Sequence, residues 1–371
     1  MRARPVVFIS LERWDEVWRR NQHLLTRLRA NGVIGDVLYV EPSVDPLHAA
    51  RQRHRPRAAR GLRPLMSEPG ITVLEQTKWL PRRFDSGQDE RWARSVVTAA
   101  DRLGLADPLL WVNDPRGAEL LARVDWPAIY DITDDWLLAR RPASELARLR
   151  AQEALLLDAC AEVIVCSPAL QQSKSATRPV ALIPNAVDLH LYARPHPRPD
   201  DLPTGRVALY VGTLHSDRLD IDVCCATADL LRTAGDELVL VGPDALTGED
   251  RARLDASGAI RLGARPASFV PAYLQHADAL VVPHVVTPFT ESLDPIKAYE
   301  YAAAGRPVVS TSVAGFRELA GTIVAEAARF PAAVAEVLTH EATGSANAAE
   351  IPTWQQRAGE FERLLEKLPV Q

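Results

Sequence analysis

Residues 293–309 read Leu293-Asp294-Pro295-Ile296-Lys297-Ala298-Tyr299-Glu300-Tyr301-Ala302-Ala303-Ala304-Gly305-Arg306-Pro307-Val308-Val309. A proline opens an amphipathic helical run, a glycine stops it, and a β-branched strand begins at Val308, the order expected of a parallel α/β unit. Lys297 is one of four lysines in a chain with 43 basic residues. Where arginine is the default cation, a lysine just inside a helix points to a need for a compact point charge. Free N–H groups and the dipole at a helix N-terminus favour phosphate, and Lys297 would add a full charge there. Glu300, about one turn on, can accept from ribose hydroxyls. The plainer alternative is a Lys–Glu pair on a solvated helix face.

Working outward, short β-branched runs alternate with longer helical patterns. Residues 6–10, 37–41, 109–113, 128–132 and 163–167 read as strands, with amphipathic stretches such as 16–30 and 144–160 between them. After the Pro-rich residues 195–203 the pattern restarts with strands at 207–211, 238–241, 279–283 and 308–311. This alternation predicts an α/β protein of two doubly wound, Rossmann-like domains. The expected boundaries are 1–194 for the first domain, 195–205 for a linker and 206–345 for the second, with a closing segment at 346–371. In such sheets ligands bind beyond the carboxyl ends of the strands, so each domain would offer one substrate site. Residues 354–368 form a last amphipathic helix.

Composition narrows the class. A chain of 371 residues suits two domains, and its net charge of −5 argues against nucleic acid as a partner. Cys160, Cys166, Cys224 and Cys225 lack metal-ligand spacing and read as reduced core residues, with no metal site expected. No apolar run reaches the ~18 residues of a membrane span, so a cytoplasmic protein is expected. Residues 47–65 carry Arg51, Arg53, Arg55, Arg57, Arg60 and Arg63 and no acid. They read as a loop that is either solvated or a cationic lid for an anionic acceptor or the inner membrane face, with Arg82-Arg83 as a possible extension.

The segment around Lys297 resembles the donor-binding motif of GT-B glycosyltransferases, in which a proline, a lysine, Glu-Tyr, Ala, Gly and Pro-Val-Val follow in this order. Upstream, Ala181-Leu-Ile-Pro-Asn-Ala-Val-Asp188 is similar to the hinge of the large retaining group, and Val207-Ala-Leu-Tyr-Val-Gly-Thr-Leu-His215 to the loop opening its nucleotide domain. The resemblance covers about residues 160–320. More loosely, Trp14-Asp15 through His23 and Tyr130 through Trp136 look like segments of bacterial polysaccharide and teichuronic-acid-type transferases. It implies a GT-B fold whose last helix returns to the first domain, metal-independent transfer of a sugar from a nucleotide-diphosphate sugar, and no cofactor beyond the substrates. UDP is the default product, with thymine and guanine nucleotides open.

On this reading the donor residues are Gly212, Thr213, His215, Arg218, Gly242, Ser292, Asp294, Pro295, Ile296, Lys297 and Glu300. Relatives commonly carry Arg after the first of these glycines and Lys five residues further on, where this chain has Thr213 and Arg218. Arg218 and Lys297 would then share the diphosphate. Gly263-Ala-Arg-Pro266 would lie beside the base. Retaining members carry a second glutamate where this chain has Ser292, with Glu291 and Asp294 as neighbours. A Ser-x-x-Pro-x-Lys form also resembles an inverting glucuronosyltransferase, so the stereochemistry stays open.

Asp134 and Asp135 follow the strand at 128–132 at its carboxyl end and are the candidate catalytic carboxylates. One is expected to cap a helix starting near Trp136 and the other, preferentially Asp134, to act as base. Trp14, Arg20, Asn21, His23 and Asn113 are the candidate acceptor-side residues, although Trp14 and Trp18 at i, i+4 would also suit a buried helical stripe. Two other functions share these features: a sugar-nucleotide epimerase of the same fold, and a non-catalytic sugar-nucleotide-binding subunit.

Overall fold

The computed structural model describes residues 3–47, 58–80, 82–340 and 351–368. The chain divides into two compact units. The first comprises Met1–Asp15, Asn21–Ile183 and Ala358–Gln371, and the second Glu16–Arg20 and Pro184–Arg357.

In the first unit, β1 (Arg4–Ile9), β2 (Ile34–Val40), β3 (Gly61–Pro64), β4 (Ile71–Glu75), β5 (Leu109–Val112), β6 (Ala128–Ile132), β7 (Glu162–Val165) and β8 (Ala181–Leu182) form one sheet. Its order is β3-β4-β2-β1-β5-β6-β7-β8, parallel except where β3 runs against β4. The order reverses between β1 and β5, which opens a crevice at their carboxyl ends. Val6, Val7, Phe8 and Ile9 are all buried, as expected of a strand covered on both faces. The helix Gln88–Arg102 lays Trp92, Ala93, Val96, Ala99 and Ala100 against the sheet, one stripe of the 3.6-residue period. The end of the helix Trp354–Leu365 belongs to this unit, with Phe361 stacked on Trp111 at a ring separation of 4.9 Å.

The second unit holds a six-stranded parallel sheet, β13-β11-β9-β14-β15-β16. Its strands are β9 (Val207–Val211), β11 (Glu237–Val241), β13 (Ile260–Gly263), β14 (Ala279–Val282), β15 (Val308–Ser310) and β16 (Thr322–Val324). A two-stranded pair, β10 (Leu214–His215) with β12 (Asp244–Ala245), follows β9 and β11. Alternate residues of β9 enter two cores, Ala208 and Tyr210 on one face, Val207, Leu209 and Val211 on the other.

Several expectations need correcting. The helix expected over 16–30 begins at Arg20, because Glu16–Arg20 joins the second unit, where the Glu16 carbonyl accepts from Ala267 N at 3.0 Å. Trp14 and Trp18 therefore do not form a helical stripe; the Trp14 ring stands edge-on to Tyr39 at 5.0 Å. No helix starts near Trp136, where the chain makes a turn and the next helix, Ala143–Ala159, begins after Pro142. Within the basic stretch at 47–65, Gly61–Pro64 forms edge strand β3 rather than loop, while Arg51, Arg53, Arg55 and Arg57 lie outside the described residues. The chain enters the second unit at Pro184, ahead of the expected linker at 195–205. Tyr192 packs on that unit's core, and the Gln275 side chain donates to the Tyr192 and Arg194 carbonyls.

Candidate functional site

The carboxyl ends of β9 and β11 meet at two glycines. Gly212 has φ +146° and Gly242 φ +150°, and a Cβ on Gly242 would lie 2.0 Å from the Gly212 carbonyl oxygen. Only glycine permits that approach. Gly212 N donates to the Val241 carbonyl and Gly242 N to the Gly263 carbonyl, each at 2.9 Å, so three strand ends are tied in a row.

Lys297 lies over this platform. Its helix, Ile296–Ala304, starts after Pro295 with no side-chain cap and stops at Gly305, whose φ of +65° suits the left-handed C-cap. The Lys297 Nζ donates to the Tyr210 hydroxyl at 2.7 Å, lies 3.4 Å from His284 Nε2, and a Cβ on Gly212 would be 2.7 Å from it. Tyr210 and His284 are themselves bonded at 3.1 Å. Burial, and then Arg218, bring the Lys297 pKa down to about 7, with Glu300 opposing. Burial raises Glu300 to about 7 against the pull of Lys297. His284 and His215 are both held below the usual imidazole range, first by burial and then by neighbouring cations. The site thus crowds basic groups that an anion would relieve.

Around this centre, Arg218 stacks over Phe289 at 5.0 Å, and its carbonyl accepts from Val285 N. The Thr213 carbonyl is 3.4 Å from the Tyr210 hydroxyl. His215 sits in β10 beside β12. Ser292 is buried and donates to the Phe289 carbonyl at 2.7 Å, closing the short helix Pro288–Glu291. Asp294 accepts from Asn185 N and from the Tyr299 hydroxyl, which anchors the residue before Pro295. Arg20 donates to Asn185 Oδ1 at 3.2 Å and so adjoins, within the second unit, the residue that holds Asp294.

In the first unit, Asn21 Nδ2 donates to Asn113 Oδ1 at 3.0 Å, and Asn113 Nδ2 to the Asp131 carbonyl at 3.0 Å. These two asparagines brace the ends of β1, β5 and β6. His23 is buried beside Arg27, and burial followed by that charge drops its pKa to about 3, so it is neutral. Asp135 is buried, 3.2 Å from Lys174 Nζ, which also donates to Glu153 at 2.9 Å. Its Oδ1 accepts from Leu137 N at 3.3 Å. Asp134 is half-buried, with Thr133 Oγ1 3.1 Å from its carboxylate. Among the described residues no group of His, Cys, Asp and Glu could hold a metal ion, and no helix is long and apolar enough to cross a membrane.

Sequence reading missed Tyr210 and His284. Tyr210 is hidden in an apolar strand, whereas His284, a polar residue immediately beyond the strand expected at 279–283, was the available signal.

Residues 205–340 match the family model described as Glycosyl transferases group 1. A curated relative from Bacillus subtilis strain 168, named as a teichuronic acid biosynthesis glycosyltransferase (TuaH), is 25% identical over 219 residues, 55% of each chain. The chain therefore spans about half the length of that relative. Sucrose-phosphate synthase from Thermosynechococcus elongatus superposes with a TM-score of 0.65 at 18% identity, covering 98% of this chain and 94% of its own. HepE of Anabaena, solved in complex with UDP and glucose, does so with a TM-score of 0.59 at 15% identity over 97% and 95%. The fold is that of the GT-B glycosyltransferases, and the residues that match the family model lie within the second unit.

Proposed function

We propose that this chain is a glycosyltransferase that moves a sugar from a nucleotide-diphosphate donor, a UDP-sugar by preference, to an acceptor hydroxyl. The acceptor classes are a glycan, a lipid-linked intermediate or a secondary metabolite. The observation that carries the reading is Lys297, held over the Gly212–Gly242 platform with Glu300 one turn away. The name of the B. subtilis relative and the UDP bound to HepE support it.

In this reading the diphosphate lies on the backbone N–H groups near Gly212 and Thr213 and at the start of the helix Ile296–Ala304. Lys297 and Arg218 neutralise it without a metal ion, and Glu300 accepts from the ribose. As the acceptor oxygen bonds to the anomeric carbon, the bond to the diphosphate breaks and its charge builds beside Lys297 and Arg218. Asp134 takes the acceptor proton in an inverting reaction; Asp135 is committed to Lys174. Ser292 leaves no carboxylate at the place that the retaining pattern uses. Cytoplasmic location, with peripheral contact of residues 47–65 at an anionic membrane, belongs to the same proposal.

The test is a thermal-shift screen of UDP-, dTDP-, GDP- and ADP-sugars in EDTA. One nucleotide class should raise the melting temperature by several degrees and lose that effect in Lys297→Ala, since ligand at 100 times Kd adds about 2.7 kcal/mol. In Asp134→Asn, transfer should be abolished with nucleotide binding intact. No shift with any donor would reject the reading.

A further inference from the structure

A second basic site lies in the first unit, in a cavity of ≈ 240 Å³ at the carboxyl ends of β1, β2 and β5. It occupies the crevice where the strand order reverses, the place where open α/β sheets bind ligands. Arg82, Arg116 and Arg148 line it, with Ser43, Glu41 and Glu145 among its polar walls. Arg116 is held by two hydrogen-bond partners and one ring face. It donates from Nε to Asp89 at 3.0 Å and from Nη1 to Ser43 Oγ at 2.9 Å, and it stacks over Trp92 at 4.4 Å. Arg82 grips the same Asp89 carboxylate through Nε at 2.8 Å and Nη2 at 3.0 Å. One carboxylate thus serves two guanidinium groups. The third, Arg148, donates to the neutral Gln152 at 2.9 Å, and among the described residues no ion pair is formed by it.

We propose that this pocket binds an oxyanion, a phosphate or a carboxylate carried by the acceptor, on Arg82, Arg116 and Arg148. Only the word "acceptor" rests on the glycosyl-transfer reading. Burial, and then the charge of Arg82, disfavour the charged form of Arg148; burial does the same to Arg116 against the pull of Asp89. Asp114 also lines the pocket, its carboxyl raised by burial against the pull of Arg116. An oxyanion among the three guanidinium groups would relieve this crowding and use their remaining N–H donors.

The test measures calorimetric binding of inorganic phosphate, D-glucuronate and D-glucose to the whole chain, wild type, Arg148→Gln and Lys297→Ala. At least one anion should bind and glucose should not. Arg148→Gln should weaken the anion on the order of ten-fold or more, the size of a lost charged hydrogen bond, and an anion should still bind in Lys297→Ala, whose diphosphate site is disabled. Preference for phosphate or for glucuronate identifies the source of the oxyanion. UDP binding, read in parallel, should be unchanged in Arg148→Gln, so a failed donor reading shows separately as absent UDP binding in the wild type. Arg82→Gln repeats the test if the first variant misfolds. Anion binding unaltered in both Arg variants, or no anion binding at all, would overturn the proposal.

Discussion

At Lys297 the protein holds a lysine whose charge is disfavoured by burial and by Arg218. Its pKa of about 7 lies below the ordinary lysine value of 10.5, so at pH 8 the free site is mostly neutral at this position. A diphosphate favours the ammonium form, and binding at pH 8 should therefore take up close to one proton. Affinity should fall as pH rises above about 7, by up to ten-fold per unit while the bound form keeps its proton. Calorimetry of UDP binding in two buffers of different ionisation heat measures the uptake directly. Lys297→Arg, charged throughout, should bind without it; zero uptake by the wild type would contradict the buried-lysine account. The helix that carries Lys297 and Glu300 was legible from sequence because a proline and a glycine frame it. Tyr210 was not legible, and His284 showed only as a polar residue beyond a strand, since their contact arises only when β9 and β14 lie side by side.

At the scale of elements, the helices of the second unit are set by local chemistry that can be removed piecemeal. Asp220 caps the helix Ile221–Thr233 by accepting from Val223 N at 3.1 Å. Asp220→Ala should cost about 1 kcal/mol in urea unfolding, and a change below a few tenths would show that packing alone fixes that helix start. The long strands were readable because burial on both faces writes them as unbroken β-branched runs. Short pieces such as β3, β10 and β12 carry too few residues to make a period, and their pairing is decided by neighbours. The start of the first helix was misplaced for a related reason. Residues 16–19 have helical composition, yet a tertiary contact, Ala267 N to the Glu16 carbonyl, draws them into the other unit.

For the whole molecule, what matters is that neither unit is one continuous segment. Phe361, fully buried, reaches the first unit from a helix that begins in the second. Phe361→Ala should destabilise the protein by roughly 3–5 kcal/mol. Amide exchange should locate the loss in the strands beside Trp111, with UDP affinity unchanged; a loss confined to residues 205–340 would refute this partition. Two domains were visible in the sequence as a pattern that stops and restarts; the return of the last helix was implied only by the family resemblance, and the joining of residues 16–20 to the second unit was not visible, because compositional shifts mark linkers and not returns. The same stacking of Phe361 on Trp111 sets a timetable for birth on the ribosome. At about 5–20 residues per second, residues 21–183 wait roughly ten to thirty-five seconds for Phe361. The portion translated first is therefore the last to close its core, and in that interval the bare face of Trp111 is what a chaperone would meet.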